Sequence, residues 1–353
     1  MIRTDASAKM GAGHVMRCLT LAKALQKKKF RVEFICHVYE DDLISFIKKD
    51  NGFSVHVIPN THEENTEQIN WVNDAKYVVS IIKRIGKPVD MMVVDHYMLD
   101  QLWEQKIEPY VKKILVIDDL ANRQHACDLL VDQNFYLKKN RYDGLVPDKC
   151  IQMTGVEYIM LREQFEKLQG CIKTKTGNIQ RILICYGGSD FSNETGKALS
   201  AIQKLDRKDV HVDVVIGKQN QNKEKIRQKI LQIVHGKCHI QVDNMAQLIS
   251  KADLCIGAVG SMTWERCVLG VPSIVSAMAE NQIEVAESLS QKGIIHYIGD
   301  AEKSTSDDYL DAIHTLSSNK SYYFDLSNKS KKLVDAKGTL RIVEQVQKQL
   351  RKA

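Results

Sequence analysis

Two rhythms of apolar and polar residues alternate along the chain. Short apolar runs at 31–38, 53–58, 89–95, 113–118 and 128–132 predict strands, with a first short strand at 1–4. Between them, 15–28, 67–86 and 99–111 carry helical spacing. In the first of these helices Val15, Leu19, Ala22 and Leu25 share one face, with Cys18 and Leu21 alongside. Arg17, Lys23 and Gln26 are expected to face outward. The theme restarts with strands at 181–186, 210–216, 253–256, 272–276 and 294–298. Strands that alternate with helices form parallel sheets covered on both faces. A helix over 156–168 leads into 170–178, GCIKTKTGN, where periodicity lapses among Gly, Thr, Lys and Asn. The pattern therefore predicts an α/β protein of two doubly wound, Rossmann-type domains facing a central cleft. Their bounds are 1–169 and 179–335, with a linker at 170–178 and a C-terminal helix in 336–353. From 304 onward the tail reads as three helices, with Gly338 at the last break.

Composition narrows the class. With 353 residues, 44% hydrophobic and 27% charged, the chain has an ordinary globular balance and length enough for two domains. The net charge of +6 is spread out, with small clusters at 27–29 and 329–332. It suits an anionic ligand and does not argue for nucleic acid. No apolar run approaches the roughly 18 residues of a membrane span, and no signal peptide precedes the first motif. The nine cysteines are odd in number and never spaced C-x-x-C. Cys36, Cys185 and Cys255 sit in apolar runs, where free cysteine acts as a small hydrophobe. A cytoplasmic protein without disulfide scaffold or zinc ribbon is expected.

In open α/β sheets ligands bind beyond the carboxyl ends of the strands, so residues just after each strand carry the candidate chemistry. The first place is Asp5-Ala6-Ser7 through Gly11-Ala12-Gly13-His14, followed at once by a helix. It is not a dinucleotide fingerprint, which would need glycine at Met16, nor a P-loop, since no Gly-Lys-Ser/Thr follows. A histidine at that helix start is suited to proton transfer near neutral pH, and the alternative is that it packs or caps. The second place is Asp95-His96-Tyr97, where capping by Asp95 and packing by Tyr97 compete evenly with a site role. The third, Asp118-Asp119, reads better as a turn cap than as a metal or proton-sharing pair. The fourth is Gly187-Gly188-Ser189-Asp190, whose glycines allow backbone to approach a phosphate or sugar. The fifth runs from Gly257 through Gly260-Ser261-Met262-Thr263 into a helix over 264–269, a diphosphate cradle with Glu265 in the first turn. Glu265 either serves the helix dipole or accepts from ribose hydroxyls, and Trp264 reads as core. A last loop, Ala279-Glu280-Asn281-Gln282, is placed to reach a sugar.

The combination of motifs resembles a known family. R-T-D-A-S with G-x-G-H-V-M-R-C-L in 3–19, V-D-H-Y at 94–97, I-D-D-L-A-N-R at 117–123 and C-D-L-L-V-D-Q-N at 127–134 are similar to the UDP-2,4-diacetamido-2,4,6-trideoxy-β-L-altropyranose hydrolases of pseudaminic acid biosynthesis. So are G-L-V-P at 144–147, L-R-E-Q-F at 161–165, Y-G-G-S-D at 186–190, G-S-M-T-W-E-R-C at 260–267 and E-N-Q at 280–282. The resemblance runs to about residue 298 and extends to spore-coat polysaccharide proteins. It implies a GT-B-like fold and a UDP-sugar hydrolase in which His14 is the catalytic base. It further implies that Asp5, Gly13, Arg17, Tyr97, Asn281 and Gln282 serve the sugar. Gly187, Gly188, Ser189, Gly260, Ser261 and Glu265 would hold the nucleotide, with Glu265 on the ribose. The implied scheme needs no metal or cofactor, and its partner is the UDP-sugar substrate; protein partners are left open. The alternatives are a GT-B glycosyltransferase with a glycan or lipid acceptor, and a nucleotide-sugar-binding protein without turnover.

Overall fold

The computed structural model describes residues 1–5, 12–39, 43–59, 70–170, 175–188, 190–218 and 220–351. Thirteen strands are described: β1 (Ile2–Thr4), β2 (Glu33–His37), β3 (Ser54–Ile58), β4 (Val89–Asp95), β5 (Val111–Ile117), β6 (Leu129–Asp132), β7 (Ile151–Thr154), β8 (Arg181–Cys185), β9 (His211–Ile216), β10 (His235–Ile240), β11 (Leu254–Ala258), β12 (Ser273–Ala277) and β13 (His296–Asp300). The described α-helices are α1 (Gly13–Lys27), α2 (Trp71–Ile85), α3 (Gln101–Ile107), α4 (Glu163–Leu168), α5 (Glu194–Leu205), α6 (Lys223–Leu231), α7 (Met245–Lys251), α8 (Ser261–Val268), α9 (Glu280–Gln291), α10 (Ser306–Ser318), α11 (Lys320–Leu333) and α12 (Gly338–Leu350). They sort into two compact units. The first comprises Met1–Asn134, Lys138–Met160 and Lys337–Ala353, and the second Phe135–Leu137 and Leu161–Ala336.

In the first unit all strands are parallel, in the order β3-β2-β1-β4-β5-β6-β7. Alternation along β4 sends Met91 and Val93 to one face, Met92 and Val94 to the other. On the first face Val15, Cys18, Leu19, Ala22 and Leu25 of α1 pack with Ile342, Val343 and Val346 of α12. On the second, Val78, Ile81 and Ile82 of α2 pack with Trp103 and Ile107 of α3. Each of the valine, leucine and isoleucine side chains among them contributes about 1.5–3 kcal/mol by leaving water. The second unit repeats the design in the order β10-β9-β8-β11-β12-β13, all parallel.

Two features depart from the pattern reading. The segment 156–168 is not one helix: a 3₁₀ turn at Val156–Tyr158 gives way to extended backbone at Ile159 (ψ 124°), and α4 starts only at Glu163. Ile159, Met160 and Leu161 are buried there, and Gly338 approaches so closely that a Cβ on it would lie 2.3 Å from the Ile159 carbonyl oxygen. The chain passes between units at Met160–Leu161, ahead of the 170–178 segment, of which 171–174 lie outside the described residues. The tail forms three helices as expected, and the last of them, α12, belongs to the first unit.

Candidate functional site

A sheet whose chain order reverses beside one strand leaves a crevice between that strand and its neighbour, at their carboxyl ends. In the first unit the reversal lies between β1 and β4, where Thr4 is paired with Asp95. His14, in the first turn of the helix that follows β1, and Asp95, the last residue of β4, meet there. Asp95 Oδ1 lies 2.5 Å from His14 Nδ1. Arg17, one turn on, donates from Nε to Asp95 Oδ2 at 2.7 Å and from Nη2 to Oδ1 at 2.7 Å. Its Nη1 donates to Asp119 Oδ2 at 2.8 Å, and Tyr97 Oη donates to Asp119 Oδ1 at 2.8 Å. The imidazole and the phenol ring pack edge to face with centroids 4.5 Å apart.

Electrostatics fixes the protonation pattern. Burial opposes the charge on Asp95, but Arg17 and His14 together outweigh it and hold the carboxyl well below the usual carboxylate range. An ionised Asp95 is acceptor only, so the hydrogen between the two belongs to Nδ1 of His14. That leaves Nε2, which takes no described partner, as the ring nitrogen with a lone pair when the imidazole is neutral. Burial, then the charge of Asp119, pushes the Tyr97 phenol far above its ordinary value, so Tyr97 stays a neutral donor to Asp119. Buried and bonded to Asp95 at 3.3 Å, the Cys18 thiol is pushed up and stays inert.

The outward face assigned to Arg17 is corrected by this geometry. Only 7% of Arg17 is exposed, and its donors are engaged by Asp95 and Asp119, so it holds the site together rather than standing at its surface. Asp5, expected at the sugar, is also placed elsewhere. Both of its oxygens bond Arg3, at 2.6 and 2.8 Å, and Oδ1 also accepts from the His37 backbone N–H at 2.8 Å. Arg3 in turn bonds Asp74, which also receives Trp103 Nε1 at 2.7 Å and faces His37 Nε2 at 2.9 Å. Asp5 is thus part of an internal lattice under β1. Of the neighbouring pair, Asp118 caps its turn through the Ala121 N–H and Arg123, as expected, whereas Asp119 joins the site. Gly13 opens α1, and no other described residue comes within 4 Å of where a Cβ would stand, its chain neighbours and its own helix backbone aside.

In the second unit the reversal falls between β8 and β11. Gly187 follows β8 with φ +84°, a conformation that favours glycine, and its chain neighbours aside no described residue comes within 4 Å of its would-be Cβ. Gly217, after β9, packs so tightly under the loop that a Cβ would sit 2.3 Å from the Gly188 carbonyl oxygen. Ser189 lies outside the described residues. Asp190 caps α5, accepting from the Glu194 and Thr195 N–H groups at 2.8 and 3.1 Å. After β11, Gly260 leads into α8, again with no described residue other than its chain neighbours within 4 Å of its would-be Cβ. In the first turn of α8 the Thr263 N–H donates to the Gly260 carbonyl at 2.8 Å, and the helix dipole favours an anion at this end. Helix α8 starts three residues ahead of the expected position, at Ser261. Trp264 is core, 2% exposed.

Glu265 is 7% exposed and receives Arg162 Nε and Nη2 on Oε1, at 3.0 and 2.8 Å. Its Oε2 is buried with no hydrogen-bond partner among the described residues. Burial pushes this carboxyl above its ordinary value, opposed by Arg162 and Arg266. Asn281 and Gln282 stand not in a loop but in the first turn of α9, where Gln282 Oε1 accepts from the Met278 N–H at 2.9 Å. A cavity of about 220 Å³ lined by Gly177, Gln180 and Arg207 lies at the amino end of β8, the opposite end from these loops. Among the described residues no three His, Cys, Asp or Glu side chains converge as a metal site requires.

Residues 181–345 match the glycosyltransferase family 28 C-terminal domain. An uncharacterized protein of Methanocaldococcus jannaschii is 28% identical over 89% of this chain, which spans only 62% of that protein. The UDP-2,4-diacetamido-2,4,6-trideoxy-β-L-altropyranose hydrolase of Campylobacter jejuni is 29% identical over 83% of this chain and 96% of its own length. The spore coat polysaccharide biosynthesis protein SpsG of Bacillus subtilis is 23% identical over 97% and 95%. Among solved structures, Acinetobacter baumannii MurG superposes with a TM-score of 0.68 at 15% identity, covering 99% of both chains, which shows a GT-B-like fold. Residues 181–345 thus match the glycosyltransferase family 28 C-terminal domain, and most of the chain is similar to the Campylobacter jejuni hydrolase and to the Bacillus subtilis spore coat protein.

Proposed function

We propose that the protein hydrolyses a UDP-sugar, UDP-2,4-diacetamido-2,4,6-trideoxy-β-L-altropyranose, to UDP and the free sugar, supplying a surface or spore-coat polysaccharide route. The observation that carries the reading is the His14–Asp95 pair, because an imidazole fixed through Nδ1 offers Nε2 as a base. The two units divide the work. In the second, the backbone at Gly187, Gly188, Gly260 and Ser261, with Ser189, binds the diphosphate, and Glu265 accepts from ribose hydroxyls. The α8 N–H groups stabilise the charge that builds on the leaving diphosphate.

In the first unit His14 Nε2 takes a proton from water as the water oxygen bonds to the anomeric carbon. The bond from that carbon to the diphosphate oxygen breaks, its electron pair leaving with UDP. A single displacement of this kind inverts the anomeric centre. Asp95 stabilises the imidazolium that forms, and Arg17 keeps Asp95 in place. Tyr97, with Gly13, Asn281 and Gln282, positions the sugar. Replacing His14 with Asn tests the role: loss of a positioned base lowers kcat by about 10²- to 10⁴-fold and leaves KM much less changed. Wild-type turnover in that variant would remove His14 from the chemistry.

A second reading, transfer of the sugar to a glycan or lipid acceptor, is favoured by the match to the glycosyltransferase family 28 C-terminal domain. The outcome in water alone separates the two.

A further inference from the structure

We infer that Arg162 is the positioning residue for ligand recognition in the second unit: it holds one oxygen of Glu265 so that the other is presented to a vicinal diol of the bound nucleotide. The inference rests on the reading of that unit as the UDP-binding one.

Arg162 stands just ahead of α4, 103 residues from Glu265, and all three of its nitrogens have directed contacts. Nε and Nη2 both converge on Oε1 of Glu265, at 3.0 and 2.8 Å. Nη1 faces the side-chain amide of Gln164 at 3.1 Å; with the amide oxygen turned toward Arg162, the amide nitrogen donates to the Asp243 carbonyl at 3.2 Å. The guanidinium carbon also lies 5.2 Å from the centroid of the Phe165 ring, which holds the plane of the fork. Such a clamp ordinarily pairs both carboxylate oxygens in a fork-to-fork arrangement. Here it is offset onto one oxygen.

The consequence is an orphan. Oε2 of Glu265 is buried and has no hydrogen-bond partner among the described residues. A buried acceptor of this kind costs about 1–3 kcal/mol while it remains unmade, so such groups are normally satisfied. Water-exposed alternatives are closed to the side chain, which is 9% exposed. A ligand that brings hydroxyl donors to Oε2 recovers that cost, and one that lacks them does not. A pair of adjacent ribose hydroxyls fits because a carboxylate oxygen has two lone pairs and accepts from both. The ionisable groups acting on Glu265 are Arg162 ahead of α4, Arg266 on its own helix, and Cys185 at the end of β8. Burial pushes the Cys185 thiol up to about 11, so it carries no charge near neutral pH. Removing Arg162 strips away the nearer of the two cations that keep Glu265 an acceptor.

The test is calorimetric titration of the full chain with UDP and with 2′,3′-dideoxy-UDP, for the wild type and for Arg162→Met, Arg162→Lys and Glu265→Gln. Wild type is expected to prefer UDP by about 10- to 100-fold, the worth of a hydrogen bond to a charged group. Arg162→Met should drop that preference to within about threefold while leaving dideoxy-UDP binding within about threefold. Arg162→Lys, which keeps the charge but not the fork, should recover part of it. In Arg162→Met, UDP affinity should also fall earlier as pH is lowered from 8 to 6, because Glu265 protonates more readily. A ribo-to-dideoxy preference that survives Arg162→Met but is lost in Glu265→Gln overturns the role of Arg162 alone. Equal weakening of both nucleotides also overturns it, since Arg162 would then act on the phosphates or the fold. A wild type that binds neither nucleotide, or binds both equally, brings down the nucleotide reading and this inference with it.

Discussion

Asp95 ends the strand paired with the one that His14's helix follows, and its Oδ1 lies 2.5 Å from His14 Nδ1. Neither residue reaches the other by local sequence; the reversal of strand order beside β1 brings them together. Replacing Asp95 with Asn retains an acceptor for Nδ1 but removes the charge that favours the imidazolium. The expected result is a kcat lower by about 10²-fold with KM within a few-fold, read by steady-state kinetics. Arg17 then loses half its counter-charge, so thermal unfolding should show a loss of about 1–3 kcal/mol.

Tyr97 is held by Asp119 at 2.8 Å, and Asp119 by Arg17 at 2.8 Å. Removing either end of one chain of contacts removes the same function. Tyr97→Phe and Asp119→Asn should each lower kcat/KM by about tenfold, and the double variant should fall no further than the worse single one. Additive losses would show that the two residues act separately.

Gly217 is the support under the Gly187-Gly188 loop. A Cβ there would stand 2.3 Å from the Gly188 carbonyl oxygen, a backbone atom that cannot swing aside. Gly217→Ala should therefore weaken UDP binding by about tenfold or more and destabilise the fold by about 1–3 kcal/mol. Titration calorimetry and thermal unfolding read the two effects.

The lattice under β1 predicts the acid limb of stability. Burial opposes the charge on Asp74, but Arg3 and His37 outweigh it and lower the carboxyl from 3.8 to about 2. A carboxyl with a depressed pKa stabilises the fold above its unfolded value and loses that contribution as pH falls through the folded one. About 2 kcal/mol should thus disappear between roughly pH 4 and pH 2. Asp74→Asn should flatten that limb and cost about 3 kcal/mol or more at pH 7, because Arg3 is left buried beside a neutral amide. Urea unfolding across pH measures both.

The central strands were legible because buried parallel strands read as continuous apolar runs; 89–95 matches β4 end to end. The two strands that pattern reading misses, β7 and β10, are sheet edges. Their alternation is weak because an edge strand buries less: Ile151–Thr154 shows one buried residue, and His235–Ile240 none. That the glycine loops follow strands, and that His14 stands in the first turn of a helix, was legible from the alternation of elements. The burial of Arg17 was not, because helical periodicity assigns a charged side chain to solvent. Its burial depends on Asp95 and Asp119, 78 and 102 residues away. Asp119 was hidden for the same reason, and Arg162 because its partner lies on a helix far along the chain.

The most direct measurement is a proton NMR time course of the protein with UDP-2,4-diacetamido-2,4,6-trideoxy-β-L-altropyranose in buffer, with no acceptor present. The expected result is loss of the nucleotide-sugar anomeric signal, with the free sugar appearing first as the inverted anomer. Persistence of the nucleotide sugar while UDP still binds would contradict hydrolysis.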